Sequence, residues 1–173
     1  MFENDYTING VHATRVKYMV NEAKLFTRYI DVYMNAAVWG LLYGRKSQKD
    51  PSQDRARIYA DAFANERERC VFFYRLIMLL DESTGLSPEE RLDRAFRDGA
   101  QGDDQDKLSA NLDIFHSYVL GGIDVLYEKL VDGCITRDDY LTRIYDLTCS
   151  FADEVTGGAG DERLTELMKE QRR

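Results

Sequence analysis

Residues 29–43, Tyr-Ile-Asp-Val-Tyr-Met-Asn-Ala-Ala-Val-Trp-Gly-Leu-Leu-Tyr, are apolar almost all the way round a helix. A helix without a polar face has to be buried on most of its sides. Such a chain must surround one helix, either with its own elements or with a second chain. Asp31 and Asn35 are the strongly polar members of the run. Four residues apart, they share a helix face, so the run predicts a carboxylate and an amide inside a core or an interface. An unpaired buried carboxylate is costly and needs a basic partner. Arg75 is the matching oddity, a guanidinium within the apolar stretch 70–80. Arginine pairs with carboxylates through two parallel hydrogen bonds. The expected arrangement is an Asp31–Arg75 tie completed by Asn35, with a catalytic carboxylate at Asp31 as the alternative.

Periodicity extends this run into a longer helix. Met19, Phe26, Ile30, Tyr33, Ala37 and Leu41 form one stripe at 3–4 spacing. Tyr18, Leu25, Tyr29, Val32, Ala36, Trp39 and Tyr43 form a second. Together they predict one helix from about residue 14 to residue 43, closed by Gly44. The second stripe supplies candidate interface residues, Tyr29, Val32, Ala36, Trp39 and Tyr43, because Tyr and Trp favour interface cores.

Asp50 followed by Pro51 and Gln53 has the form of a helix start, predicting a second helix to about Asp81. Ser87, Pro88 and Glu90 make a capping box for a short helix to about Arg97. An acidic, glycine-containing stretch near 98–106 predicts a flexible loop. Leu108, Leu112, Phe115, Val119, Gly122, Leu126 and Leu130 mark the next long helix, in which Gly121 and Gly122 predict close helix approach or a bend. Gly133 stops it, and Thr136 caps a further helix carrying Tyr140, Ile144, Leu147, Phe151 and Val155. Glycines at 157, 158 and 160 break that helix before a last short one with Leu164, Leu167 and Met168. Only two prolines occur in the 173 residues, which favours long helices. The expected fold is all-α: a bundle of four long helices with one or two short ones, in a single domain spanning 1–173.

Composition narrows the function. The net charge of −8 opposes non-specific binding to phosphate backbones, so direct nucleic-acid binding is not expected. Arg45, Lys46, Lys49, Arg55 and Arg57 do cluster, but Asp50 and Asp54 dilute them. They read as a solvated loop. The three cysteines, Cys70, Cys134 and Cys149, are odd in number and dispersed, as in a reducing cytoplasm. The first residues lack a basic region followed by an apolar one, so no secretory signal is read. As a helix, the 29–43 run would be about 22 Å long, against roughly 30 Å of bilayer core. No membrane contact is expected.

Catalytic patterns are sparse. There is no Gly-x-Ser-x-Gly, phosphate-binding loop or dinucleotide fingerprint. A di-iron carboxylate bundle needs two Glu-x-x-His pairs. The chain offers only Asp113 and His116 at that spacing, with Asp31, Asp61, Glu66 and Asp124 as further acids. Residues 128–139 resemble half a calcium loop, with Leu130 and Asp139 at two ligand positions where they do not fit. No metal or cofactor is expected. The leading reading is a non-enzymatic helical interaction or adaptor protein in the cytoplasm, with another protein or a second copy as partner. The alternatives are a carboxylate- or metal-dependent enzyme using Asp31, Glu66, Asp113 and His116, and a subunit of a nucleic-acid-processing complex using the basic 45–57 segment.

Overall fold

The single helix expected over 14–43 is three pieces in the computed structural model, which describes residues 1–98 and 105–156, with side chains to 153. Helix α1 spans Gly10–Lys17, and a π-helical turn follows at Tyr18–Glu22. Lys24 then adopts a left-handed conformation, with φ of 52°. No regular helix passes through that geometry. Helix α2 restarts at Tyr29–Leu42 from an extended Arg28. Asp31 is the third residue of α2, and its carboxylate accepts the Arg28 backbone N–H at 3.0 Å. An acid in that place satisfies one orphan donor of the helix terminus. The residue read as a buried carboxylate is therefore the helix's own start signal.

The expected helix from 51 is also interrupted. Strand β1 (Tyr6–Asn9) pairs antiparallel with strand β2 (Arg55–Ile58), with Ile8 opposite Ala56. Ile8, Ala56 and Ile58 are buried while Arg55 and Arg57 face out, the alternation of a half-buried strand. Asp50 caps a different helix from the one its sequence suggests. Its carboxylate accepts the Val11 N–H at 2.8 Å, at the start of α1. Helix α3 (Ala60–Asn65) and helix α4 (Arg67–Leu80) then follow, separated by Glu66.

Helix α5 (Pro88–Phe96) carries the expected capping box, with Ser87 Oγ accepting from Glu90 N. Helix α6 (Gln105–Leu130) is the longest described element. It pairs most extensively with α2, and glycine makes that possible. A Cβ on Gly40 would lie 2.0 Å from the Tyr118 carbonyl oxygen, and one on Gly122 would lie 1.8 Å from that of Ala36. The two backbones touch where a side chain would hold them apart. Val32, Tyr33, Ala36, Ala37, Val119 and Ile123 fill the surrounding core.

The chain is mostly helical, with a small two-stranded sheet, and divides into two compact units, Met1–Val131 and Asp132–Arg173. The described part of the second unit is helix α7 (Arg137–Thr156) and the turn before it. There Thr136 Oγ1 accepts from Asp139 N, and the Asp139 carboxylate accepts the N–H of Ile135 and of Thr136. The last short helix, the glycine break and residues 99–104 of the acidic loop lie outside the described residues. No helix among the described residues is long and apolar enough to cross a membrane.

Candidate functional site

Burial selects Asp124, in the sequence only one of several further acids, and Asp81, which the sequence does not single out, in place of Asp31. Asp124, on α6, is buried with His12 of α1. Its Oδ1 pairs with Arg15 and lies 3.2 Å from His12 Nε2. Its Oδ2 accepts from Ser47 Oγ at 2.7 Å. Burial pushes the Asp124 carboxyl upward, but the bonds from His12 and Ser47 and the Arg15 charge outweigh it and hold the group below its usual range. Arg15 also lies 5.2 Å from the ring centre of Tyr127. This cluster fastens α1 and the 43–54 segment to α6. A fully bonded carboxylate of this kind holds structure; it has no free lone pair aimed at a substrate.

Asp81, just after α4, is the second buried carboxylate. Tyr118 Oη donates to it at 2.8 Å and Ser83 Oγ at 2.6 Å. Lys46 Nζ lies 3.2 Å away and Arg94 Nη1 3.4 Å. Arg94, buried on α5, also donates to the carbonyls of Met78 and Asp81. Burial raises the Asp81 carboxyl, yet Ser83, Tyr118 and Lys46 bring it down to about 2. The effect is to clamp α5 and the 45–47 strap against the end of α4.

A third cluster borders a cavity. His116 of α6 stacks on Tyr6 of β1, with ring centres 4.1 Å apart, and its Nε2 lies 3.1 Å from the Tyr33 hydroxyl. Burial and the nearby Lys49 charge bring the imidazole down to about 4, against the opposing effect of Asp113. His116 is therefore a neutral hydrogen-bonding group at physiological pH. Burial raises the phenols of Tyr6 and Tyr33, which stay protonated. The adjoining cavity has a volume of about 380 Å³.

The fourth feature is a surface. Phe72 of α4 is 59% exposed and Phe96 of α5 is 49% exposed, with Leu80 and Leu92 also exposed on the same two helices. Between α4 and α5 runs a groove of about 460 Å³ lined by Val71, Phe72, Leu76, Leu79 and Phe96. Arg75 lies over the Phe96 ring at 5.1 Å.

Against this geometry the polar residues expected inside need correcting. Asp31 is half-buried and pairs with Arg28, whose Nη2 lies 2.6 Å away; Arg28 also reaches Glu66 at 2.8 Å. Arg75 is not its partner. Asn35 is exposed and donates to the Asp31 carbonyl at 2.8 Å, one turn back on its own helix. Of the expected interface stripe, Val32 and Ala36 are fully buried inside this chain. Tyr29 and Trp39 are half-buried, and Tyr43 is exposed, with Trp39 stacked on it at 5.6 Å.

The four residues of the enzyme reading separate into different contacts. Asp31 and Glu66 share Arg28, Asp113 faces Lys49, and His116 bonds Tyr33. Among the described residues no group of three or more His, Cys, Asp or Glu is placed to hold a metal ion. Cys70 is buried, and desolvation followed by the Glu66 charge pushes its thiol up to about 12, so it is no nucleophile. Four of the five basic residues of the 45–57 segment are engaged internally: Arg45 with Glu128, Lys46 with Asp81, Lys49 with Asp113 and Arg57 with Asp5. Tyr6, Asp81 and Arg94 are the residues that sequence reasoning missed. Alternation over Tyr6–Asn9 and Arg55–Ile58 is the signal that locates Tyr6; Asp81 carries none, since it reads as a helix end. No protein-family model matches the chain, and neither a curated protein nor a solved structure matches it.

Proposed function

We propose that this chain is a non-enzymatic, cytoplasmic helical interaction protein that works as a homodimer through its α4–α5 face. One observation carries the reading. Glu68, Phe72, Arg75 and Leu79 lie at i, i+4, i+7 and i+11, a single stripe of α4 beside the apolar groove. Among the described residues neither Glu68 nor Arg75 has an ion-pair partner, although most neighbouring charges do. A two-fold axis between Val71 and Phe72 would set Glu68 of each copy opposite Arg75 of the other. A self-complementary patch is what a two-fold contact requires. Phe72 and Phe96 would then fill its centre, where aromatic residues contribute most. The dispersed, unpaired cysteines support the reducing compartment.

Light scattering at micromolar concentration tests this. The expected result is twice the monomer mass. Phe72→Asp gives a folded monomer, Arg75→Glu weakens association, and Glu68→Arg combined with Arg75→Glu restores it. A monomeric wild-type protein, or a dimer indifferent to all these changes, overturns the reading.

A further inference from the structure

We propose that the cavity beside His116 is a binding site for a small, uncharged, planar heteroaromatic molecule. It is separate from the α4–α5 face and does not depend on the homodimer. Its volume of about 380 Å³ falls in the lower part of the roughly 300–1,000 Å³ occupied by small-molecule sites, enough for one or two fused rings.

The walls select shape. Phe2, Tyr6, Tyr33, Phe63, Leu112 and His116 all line the cavity. Phe2 stacks on Phe63 at 5.7 Å, and Tyr33 meets Phe63 edge-on at 5.3 Å. Aromatic rings hold one another in such stacked and edge-on arrangements, so a flat guest completes the pattern and a bulky aliphatic one does not. His116 and Tyr33 satisfy each other at 3.1 Å, and the polar groups left for a guest are the Asn4, Gln105 and Ser109 side chains in the lining. A few convergent polar groups in an aromatic setting are the usual basis of ligand orientation.

The charges select neutrality. The two carboxylates at the cavity, Glu3 and Asp5, are already engaged, Glu3 with Arg67 at 3.0 Å and Asp5 with Arg57 and the Ala60 N–H. A cationic guest would find no free anion. An anionic guest would find one cation in the lining, the Met1 ammonium, which already lies 3.6 Å from Glu3, and a neutral imidazole. Either would lose its hydration without a free partner.

The chain has only two histidines, so imidazole Cε1–H NMR gives two signals, and His12 serves as an internal control. His116→Gln assigns them. Indole is the neutral probe, with benzoate and benzamidine as its charged counterparts. The expected result is a saturable shift of the His116 signal with indole, at a Kd below about 1 mM, while His12 stays still. Benzoate and benzamidine bind at least about tenfold more weakly. Leu112→Trp, which fills the cavity, abolishes the shift, and Ser109→Trp serves the same purpose if that variant does not fold. The proposal is overturned if indole leaves His116 unmoved. It is also overturned if the shift survives the filled cavity, or if a charged probe binds as tightly.

Discussion

Helix α2 gives its small residues to α6, while helix α4 keeps an aromatic face in water. In sequence the two look alike, since 29–43 and 70–80 are both apolar runs that need more partners than one stripe supplies. In α2 the need is met largely inside the chain. Gly40, Ala36 and Gly122 let two backbones touch, and Val32, Ala36 and Ala37 are fully buried, while Trp39 is half-buried and Leu42 at the helix end stays exposed. In α4 the inner side is covered by Tyr74, Ile77 and Met78, while Phe72 and the groove beside it remain open. Apolar content sets how much surface must be covered. Residue size decides whether the same chain can do it.

The largest effect expected from this contrast is at the seam. A side chain at Gly122 meets the Ala36 carbonyl oxygen at 1.8 Å, a backbone atom that cannot rotate away. Gly122→Val should cost at least about 3 kcal/mol, the upper range of overpacking, and should prevent folding if stability is ordinary. Denaturant melting measures it. A Gly122→Val protein that melts like the parent would show that α2 and α6 are not in backbone contact.

Next comes the carboxylate that fastens the 43–54 segment to α6. Asp124→Ala strands Arg15 and His12 and leaves Ser47 without its acceptor. The cost should be roughly 3 kcal/mol, the lower end for breaking a buried ion pair, because Arg15 can turn towards water. Asp31→Ala, at a half-buried helix start, should cost only about 1 kcal/mol. Equal losses at Asp31 and Asp124 would remove the distinction drawn between them.

That distinction marks how far the sequence could be read. The helical class, the Ser87–Glu90 capping box, the Thr136 cap and the close approach at Gly122 were legible because each is a local signal. The break at 23–28 was not, since the apolar period continues through it while Lys24 turns left-handed. The strand Arg55–Ile58 was absorbed into a helix because Asp50 and Pro51 look like a helix start, and the residue Asp50 caps is Val11. Asp31 reads as a core carboxylate for the same reason. Its partner is three residues away, and a carboxylate at a helix start cannot be told from a buried one when the start itself goes unseen. The His116 cavity depends on a strand, two helices and the first residues of the chain meeting, and no short window contains that.

The cavity gives a smaller, pH-dependent effect. His116 titrates at about 4 in the folded protein against 6.5 for an unperturbed histidine. Between those values the unfolded chain binds a proton that the folded chain refuses. Stability therefore falls as pH drops from about 6.5 towards 4. His116→Gln should flatten that limb of the stability–pH curve. The loss belonging to Asp81, whose carboxyl sits at about 2, should remain at lower pH. An unchanged limb in the variant would mean that His116 is not buried as a neutral group.

The smallest effect on the single chain is expected at Phe72, and it sharpens the comparison most. A side chain that is 59% exposed contributes little to its own fold, so Phe72→Asp should change monomer stability by no more than about 0.5 kcal/mol. Its consequence should appear only through concentration. A homodimer is stabilised by mass action, and its melting temperature rises with protein concentration. The wild-type protein should show that rise, and Phe72→Asp should lose it while melting cooperatively near the dilute wild-type value. Gly122→Val should do the reverse, lowering the melt at every concentration. If Phe72→Asp behaves like Gly122→Val, the α4 face is part of the core, and the two apolar runs meet their needs in the same way after all.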